Sequence, residues 1–298
     1  SRTAGLSVAD VDSALGERRA LVIAWLNRGT LHLVRSEDYP WLQALTAPRM
    51  VTANARRLAQ EGVSPADADR AVKAIERSLA EEGPLTRAQL REQITATGVR
   101  TEGQAIVHLL VLASIRGLIV RGPMLAGQHA FVLVHDWLGV TGPVDRERAL
   151  GELARRYLLG HAPADERDLA KWAGLPLRDV RLGLSMIASQ LTQRRDGLLD
   201  LAGRGSPAAL PRPLLLGAFD PVLLGWCSRE TILGAHHQVI TVNGLFRPFA
   251  LIRGRAAATW SLPAGKVVLE PFRRLSREDA VALDADAEDV ARFLAARQ

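Results

Sequence analysis

The order of apolar and polar positions predicts two copies of one local unit, which is a helix, a turn, a second helix and then short strands. In the first copy, Thr86 and Gln89 form a capping box ahead of a helix that ends near Gly98. Apolar positions then recur at helical spacing over 101–116, and β-rich runs joined by a Gly/Pro turn follow within 118–134. This order is typical of a winged helix, in which the strand pair forms the wing.

The second copy occupies residues 162–201. A short helix that includes Leu169 is closed by Gly174, and Pro176 suits the first turn of the next helix. The apolar stripe of that next helix consists of Val180, Leu184, Ile187 and Leu191. A turn and a strand over 198–201 complete the copy. Since its apolar and glycine positions match those of the first copy, the sequence indicates an internal duplication of about 80 residues.

Further elements are predicted around the two copies. Ser7 caps a first helix whose apolar positions run on to Leu21 and Val22. A second helix begins at Ser64-Pro65 and ends near Gly83, and a third, over 144–159, connects the two copies.

The last third of the chain changes character after a Gly-, Pro- and Arg-rich linker over 203–213. It is predicted to be mostly β, with a hairpin built on a type I′ turn at Asn243-Gly244 and a closing helix over 276–297. Three further strands are predicted over 251–252, 255–260 and 267–269. The predicted domains are 1–82 (the remnant of a first winged helix with connecting helices), 83–143 (a second winged helix), 144–205 (the connecting helix and a third winged helix) and 206–298 (a β-rich domain). The fold class is therefore predicted to be α+β.

Composition narrows the class of protein. The chain has 298 residues, a net charge of +6 and a pI near 10.3, which favour a polyanionic partner. Nearly all of the positive charge is arginine, since lysine occurs only at Lys73, Lys171 and Lys266. A single cysteine excludes a disulfide framework and fits a reducing cytoplasm. We find no apolar run long enough to span a membrane and predict a cytoplasmic protein.

Catalytic and metal-binding motifs are not visible in the residues themselves. His236 and His237 are adjacent, so on an extended segment they point to opposite faces, and no Cys, His or Asp spacing supports a metal site. Asp220, which precedes a proline, is interpreted as a turn residue. We therefore predict no metal and no cofactor.

Candidate DNA contacts come from the second helix of each copy, because that helix enters the major groove in helix-turn-helix proteins. In the second copy, Arg178 and Arg181 lie near the start of this helix. The corresponding positions of the first copy are Arg100, Thr101, Gln104 and His108. The alternative is that these side chains are the solvated faces of helices that only pack against the core.

A further candidate surface is a short strand in which Thr30 and His32 alternate with Leu31 and Leu33, with Arg28 just before it. The alternation predicts a half-buried strand with its polar side chains on one face. The alternative is an edge strand whose polar residues simply face water, in which His32 is structural.

Two longer motifs carry a resemblance to a known family. The first is the segment 25–34, WLNRGTLHLV, followed by Asp38-Tyr39. The second is 217–226, GAFDPVLLGW, with 243–248, NGLFRP, and a closing Thr259-Trp260. In this order they resemble the bacterial winged-helix family that includes the AlkZ and YcaQ DNA glycosylases. The resemblance covers essentially the whole chain.

The resemblance implies three tandem winged helices followed by a C-terminal domain resembling a β-barrel, with double-stranded DNA, alkylated or crosslinked, against a basic surface. It also implies hydrolysis of N-glycosidic bonds by a glutamine–aliphatic–glutamine (or aspartate) triplet ahead of the Arg28–His32 segment. The triplet does not occur here, since the nearest glutamines, Gln190 and Gln193, have another spacing. We assign no catalytic residue and expect either a missing N-terminal segment or a natural variant without the chemistry.

From these observations we predict a monomeric DNA-binding repair protein of the bacterial nucleoid that, as this chain stands, binds DNA without hydrolysing it. Its DNA-facing residues would be Arg28, Thr30, His32, Arg100, Gln104, His108, Arg178, Arg181 and Arg247. One alternative is a non-enzymatic winged-helix transcription regulator, which as a dimer would bind related half-sites. Another is a protein-interaction scaffold with little affinity for DNA.

Overall fold

The computed structural model describes residues 5–140, 142–205 and 209–295. The helices of this part are α1 (Val8–Leu15), α2 (Tyr39–Gln60), α3 (Pro65–Glu82), α4 (Arg87–Thr95), α5 (Ala105–Ile115), α6 (Val134–Leu138), α7 (Arg146–His161), α8 (Glu166–Ala173), α9 (Leu177–Met186), α10 (Pro221–Leu224), α11 (Glu230–Leu233) and α12 (Arg277–Ala295). The strands are β1 (Leu21–Leu26), β2 (Thr30–Arg35), β3 (Ile119–Leu125), β4 (Gln128–Leu133), β5 (Leu191–Gln193), β6 (Leu199–Leu201), β7 (Leu214–Leu216), β8 (Phe249–Ile252), β9 (Arg255–Ser261) and β10 (Val268–Pro271). The fold is α+β, as predicted.

The chain divides into two compact units. Residues 11–156 and 173–188 form the first, here called the N-terminal unit. The described residues of 1–10, 157–172 and 189–298 form the second, the C-terminal unit. None of the helices in the described ranges is both long and apolar enough to cross a bilayer.

Local capping signals set the helices of the N-terminal unit. The Oγ of Ser64 accepts the Asp67 N–H at 3.1 Å, and Thr86 and Gln89 form the predicted capping box at the start of α4. Helix α5 starts four residues later than predicted, because the turn over 101–104 includes Gly103 at a φ of +60°. Apolar side chains of α3, α4, α5 and the β3–β4 hairpin form the core.

Helix α2 was not predicted. Its buried face includes two polar residues, Thr46 and Asn54, and a proline, Pro48, lies within it, so its apolar periodicity is broken. The Oγ1 of Thr46 donates to the Leu42 carbonyl at 2.8 Å, which removes the cost of burying that hydroxyl. This 22-residue helix forms one wall of the candidate site described below.

One antiparallel sheet, in the order β2-β1-β3-β4, joins two distant parts of the N-terminal unit. The predicted helical run through Leu21 and Val22 is wrong, since both residues lie on β1. The Gly/Pro turn predicted within 118–134 is also displaced. Strand β3 continues through Gly122 and Pro123 as a bulge, and Val134 begins α6 rather than ending a strand.

Strand β2 forms as predicted, but its burial is the reverse of the expectation. It is an edge strand, and Leu31 and Leu33 are 43% and 52% exposed, because no described element covers their side of it. His32, on the other face, is more buried than either leucine.

Helices α7 and α9 pack at unusually short range. A β-carbon on Gly183 of α9 would lie 2.5 Å from the carbonyl oxygen of Leu150 on α7, and one on Gly151 would lie 3.0 Å from the Met186 β-carbon. Glycines on both helices therefore allow backbone to approach backbone. Helix α9 is shorter than predicted, since it ends at Met186 and Leu191 instead pairs with Leu201 in the β5–β6 hairpin.

The C-terminal unit is built on a four-stranded sheet in the order β10-β9-β8-β7. This sheet is open, so the expected barrel-like closure is not found. Helix α12 places Leu283 in the core, and the buried Asp286 accepts the Leu215 N–H at 2.8 Å. The end of the predicted helix, residues 296–297, and residues 206–208 of the predicted linker lie outside the described residues.

The predicted type I′ hairpin at Asn243-Gly244 is wrong. A type I′ turn needs positive φ at both central residues, and here Gly244 has it (75°) whereas Asn243 does not. The flanking segments form an isolated bridge, Ile240 to Phe246, rather than strands. Two consecutive positive φ angles occur instead at Arg253 (48°) and Gly254 (77°), between β8 and β9.

The segment 217–226 has a structural role in the C-terminal unit. Asp220 caps α10 by accepting the Val222 N–H at 2.9 Å, which agrees with its interpretation as a turn residue. Trp226 donates its indole N–H to the His161 carbonyl at 3.0 Å, and the Tyr157 hydroxyl donates to the Gly225 carbonyl at 2.6 Å. This segment therefore fixes α10 and the chain after it to the end of α7.

Candidate nucleic-acid interface

A cleft of about 520 Å³ opens on the N-terminal unit between the β1–β2 turn, α2 and α5. The described residues that line it include three arginines and no carboxylate. Its polar side chains are Asn27, Arg28, Arg49, Asn54, Arg57 and His108. Guanidinium groups bind phosphate in a bidentate manner, so this composition suits an anionic polymer.

Helix α2 supplies the largest cationic part of the cleft. Arg49, Ala53 and Arg57 are spaced four residues apart, so they lie on one face of the helix and all three line the cleft. Both arginines are exposed, and Arg57 donates to Gln60 Oε1 at 3.1 Å. This face of α2 was not predicted from the sequence. The spacing of the two arginines was the available signal, but it had no meaning until α2 was recognised as a helix.

Asn54 and His108 form a reciprocal pair at the base of the cleft. The Asn54 side-chain amide donates to the His108 carbonyl at 3.1 Å, and Asn54 Oδ1 lies 3.3 Å from His108 Nδ1. Because an amide oxygen can only accept, His108 Nδ1 carries the proton in this pair. Burial lowers the pKa of His108, Glu61 opposes that effect and Arg57 adds to it. The ring is therefore held neutral.

The β1–β2 turn brings Asn27 and Arg28 to the same cleft. Asn27 has a φ of +53° and is 6% exposed, and its Oδ1 is buried without a hydrogen-bond partner among the described residues. Arg28 is exposed, and its side chain packs close to Gly174, where a β-carbon would lie 3.0 Å from Arg28 Cγ. An acceptor buried without a partner in a native structure calls for an explanation, and ligand binding is one.

Thr30 and His32 lie together on β2, next to this turn. Thr30 Oγ1 is 2.9 Å from His32 Nε2. Desolvation lowers the pKa of His32, and the charge of Arg28 lowers it further. His32 is therefore neutral near pH 7, and its ring nitrogen is engaged within the strand.

The other candidates of the first copy lie elsewhere on the N-terminal unit. Gln104 lines a separate groove of about 900 Å³ together with Arg87 and Arg91 of α4. Arg100 is exposed, with Glu102 3.7 Å away. Thr101 is buried against the Thr95 hydroxyl at 2.8 Å. Of the first-copy residues, the structure brings His108 together with Arg28 and places Gln104 apart from them.

The candidates on α9 and in the C-terminal unit are exposed. The Arg178 side chain is 86% exposed and lies 3.5 Å from Asp179, which is itself paired with Arg146 at 2.8 Å. Arg181 is also exposed on α9. Arg247 is an exposed residue of the C-terminal unit whose backbone N–H donates to the Val239 carbonyl at 2.8 Å. A DNA-contacting role for these three arginines stays a prediction.

Because of His32 and His108, we expect the folded protein to become less stable as the pH falls. In the folded state burial disfavours the imidazolium form of His32 and His108, so their pKa values lie below the ordinary 6.5. The unfolded chain then binds more protons as the pH falls below 6.5, and stability is lost over that range. We expect the melting temperature of the double variant H32Q/H108Q to fall less than that of the wild type between pH 7 and 5.

Calorimetry across that pH range measures this difference. The variant H237Q, which removes an exposed histidine of the C-terminal unit, is the control and should follow the wild-type profile. Parallel profiles for H32Q/H108Q and the wild type would show that these two rings do not titrate with unfolding.

Among the described residues, no group of three or more His, Cys, Asp or Glu side chains is arranged to hold a metal ion. The polar side chains of the candidate site are arginines, asparagine amides and neutral histidines.

Comparison with known proteins relates the whole chain to one family. Residues 1–293 match the family described as DNA glycosylase AlkZ-like. The chain is 25% identical to an interstrand DNA cross-link repair glycosylase of Streptomyces sahachiroi, over 92% of this chain and 79% of that protein. The solved structure of the DNA glycosylase AlkZ of Streptomyces sahachiroi matches with a TM-score of 0.78 at 22% identity, over 98% of this chain and 84% of the other, which shows a shared fold. On the match over residues 1–293, the chain belongs to the AlkZ-like DNA glycosylase family.

Proposed function

We propose that this protein binds duplex DNA through the cleft formed by the β1–β2 turn, α2 and α5, and that it acts in the repair of alkylated or crosslinked bases. The observation that carries the proposal is the lining of the cleft, in which Arg28, Arg49 and Arg57 stand without a carboxylate among the described lining residues. Family membership supports the repair context.

The geometry of α2 suits contact with more than one phosphate. Arg49 and Arg57 are eight residues apart, which at 1.5 Å per residue is about 12 Å along the helix axis. Two guanidiniums at that separation can bind different phosphates of a duplex, whose charges repeat about every 3.4 Å along each strand. The neutral ring of His108, held by its two contacts with Asn54, then provides an uncharged hydrogen-bonding group at the base of the cleft.

The proposal includes a modular organisation of the chain. We assign the segments α4–α5–β3–β4 and α8–α9–β5–β6 to the two predicted winged helices. Gln104, which directly precedes α5, and Arg178 and Arg181 on α9 would be further contacts. We also propose that the protein is a monomer of the bacterial nucleoid. Hydrolysis of the N-glycosidic bond is not assigned to any residue, since the Gln-aliphatic-Gln or Gln-aliphatic-Asp triplet does not occur in the sequence.

Substituting the arginines of α2 tests the proposal. We expect R49Q and R57Q each to weaken binding to a labelled duplex by about tenfold, because each removes a charge-assisted hydrogen bond to phosphate. The slope of log affinity against log salt should become shallower by about 0.9 for each phosphate that the variant no longer neutralises. Fluorescence anisotropy at about 50 and 200 mM salt measures both quantities.

Arg56 provides a matched control, since it is exposed on the same helix beside Arg57 and does not line the cleft. If R56Q weakens binding as much as R57Q, the cleft is not the interface.

Duplexes with and without an alkylated purine, with base release followed in the same reactions, separate repair from other roles. A dimer with a strong preference for one palindrome would support a transcription regulator, and negligible affinity at about 50 mM salt would support a scaffold.

A further inference from the structure

The C-terminal unit contains a cavity of about 220 Å³. It is bounded by the loop after α11, the first residues of β9 and the residues that follow β10. The side chains that matter for its chemistry are His236, Arg255, Phe272 and Arg273.

The described residues that line this cavity include two arginines and a histidine and no acidic residue. Among the described residues, neither the Arg255 nor the Arg273 guanidinium has an ion pair or a hydrogen bond, and none of the described lining residues is acidic. Two other arginines of the same unit are paired, since Arg212 and Arg253 lie 3.5 and 3.3 Å from the carboxylates of Asp286 and Asp279. Two unpaired guanidiniums at one cavity leave its positive charge uncompensated by the protein.

The cavity also has a defined shape. The His236 ring stacks on Phe272 with centroids 4.4 Å apart, and the Phe272 N–H is fixed to the Ala257 carbonyl at 2.9 Å. Gly234 has a φ of +52°, and a β-carbon there would lie 4.0 Å from Arg255 Nη1, so the loop passes close to this guanidinium. The floor is apolar, formed in part by the buried Ala256 and Ala257.

We propose that this cavity binds a phosphate group, with Arg255 and Arg273 as the charged donors and the His236 ring as a further hydrogen-bonding group. Planar guanidiniums form bidentate hydrogen bonds to phosphate oxygens, and an apolar floor beside them accommodates the carbon atoms of a phosphate ester. The size is below the roughly 300 Å³ at which sites for larger organic ligands begin. The phosphate is supplied either by the DNA backbone, in which case the site deepens the proposed DNA-binding function, or by a free phosphate compound.

Titration of the full chain with inorganic phosphate tests the site without DNA. We expect saturable shifts of the His236 ring resonances, identified by their loss in H236Q, at millimolar phosphate. R255Q and R273Q should each weaken binding at least about tenfold, since each removes one charged donor. The matched control is R274Q, because Arg274 is the exposed neighbour of Arg273 and does not line the cavity.

Two results would overturn the proposal: no saturable shift with phosphate, or equal weakening by R273Q and R274Q. Repeating the titration with sodium chloride, at matched ionic strength, checks that the response is not general screening. The source of the phosphate is decided with duplex DNA. If R273Q makes the salt dependence of DNA binding shallower by about 0.9, the phosphate belongs to the DNA backbone; an unchanged slope, with phosphate binding abolished, assigns a free phosphate compound. Because the phosphate titration contains no DNA, failure of the cleft in DNA binding does not affect it.

Discussion

Replacing Gly183 with alanine is expected to lower the free energy of unfolding by about 1–3 kcal/mol, as overpacking of a close helix contact does. The added β-carbon would stand 2.5 Å from the Leu150 carbonyl oxygen and 2.9 Å from its carbonyl carbon. These are backbone atoms of α7, so no side-chain rotation can relieve the contact and α9 has to move. Chemical denaturation of the wild type and G183A measures the difference. Because α9 carries Arg178 and Arg181, duplex affinity should fall in G183A as well if these arginines bind DNA.

Gly160 is the matched control, since it lies in α7 and a β-carbon there meets nothing within 4 Å. G160A should leave stability unchanged or raise it by up to about 1 kcal/mol, because alanine favours a helix over glycine. Stability of G183A equal to that of the wild type would mean that α7 and α9 are not packed as closely as the structure has them.

Replacing Arg156 with methionine is expected to lower the free energy of unfolding by about 2 kcal/mol, the second large effect. Arg156 donates to both Asp38 and Glu152, and Asp38 is only 6% exposed. The variant leaves the buried Asp38 carboxylate with the Trp41 indole N–H, at 3.2 Å, as its remaining side-chain donor. Leaving a buried charge short of donors costs about 1–3 kcal/mol or more, and the 37% exposure of the Arg156 side chain keeps the loss below that of a fully buried pair.

Arg148 provides the control on the same helix, because it is exposed and its side chain has no ion pair or hydrogen bond among the described residues. R148M should stay within about 0.5 kcal/mol of the wild type.

Hydrogen bonds from Arg155, with further ones from Arg156, hold the pKa of Glu152 at about 2, below its ordinary 4.5. The stability that depends on this carboxylate is present above pH 4.5 and is lost as the pH falls towards 2. The difference in free energy of unfolding between R156M and the wild type should therefore become smaller between pH 4.5 and pH 2. A gap that stays constant down to acid would contradict this account.

The helices of the N-terminal unit differ in how well the sequence predicts them. Helices α3, α4 and α7 were predicted within a few residues. The signals for α3 and α4 are local, a capping serine and a capping box, and α7 was placed as the connector between the two copies. Helix α2 was missed because it buries Thr46 and Asn54, and their partners, the Leu42 and His108 carbonyls, are defined only by the folded structure.

Strand pairing was predicted less well, for a related reason. Asn243-Gly244 is a strong local signal for a type I′ hairpin, yet the Ile240–Phe246 contact is a single bridge and the sheet is completed by β7 instead. The pairing of β7 with β8 joins residues more than thirty positions apart, such as Leu216 and Phe249, and no periodicity within either strand specifies that partner.

The same limit applies to the candidate site. Arg28 and His108 were singled out from separate motifs, and the structure brings both to one cleft. Arg49 and Arg57, its main cations, carried no recognisable signal without α2. The cavity at Arg255 and Arg273 combines residues from three short segments, and only tertiary structure places them together.

Because Ile23 on β1 pairs with Arg121 on β3, the helices α4 and α5 and the β3–β4 hairpin do not form an independent structural unit. Excising α4, α5, β3 and β4 would cut a four-stranded sheet through its middle, so β3 in the excised piece and β1 in the remainder would each have an open edge. A two-stranded ribbon with such an edge is marginally stable and templates association with other chains. These elements therefore depend on residues 21–35 and cannot be transplanted or exchanged without them.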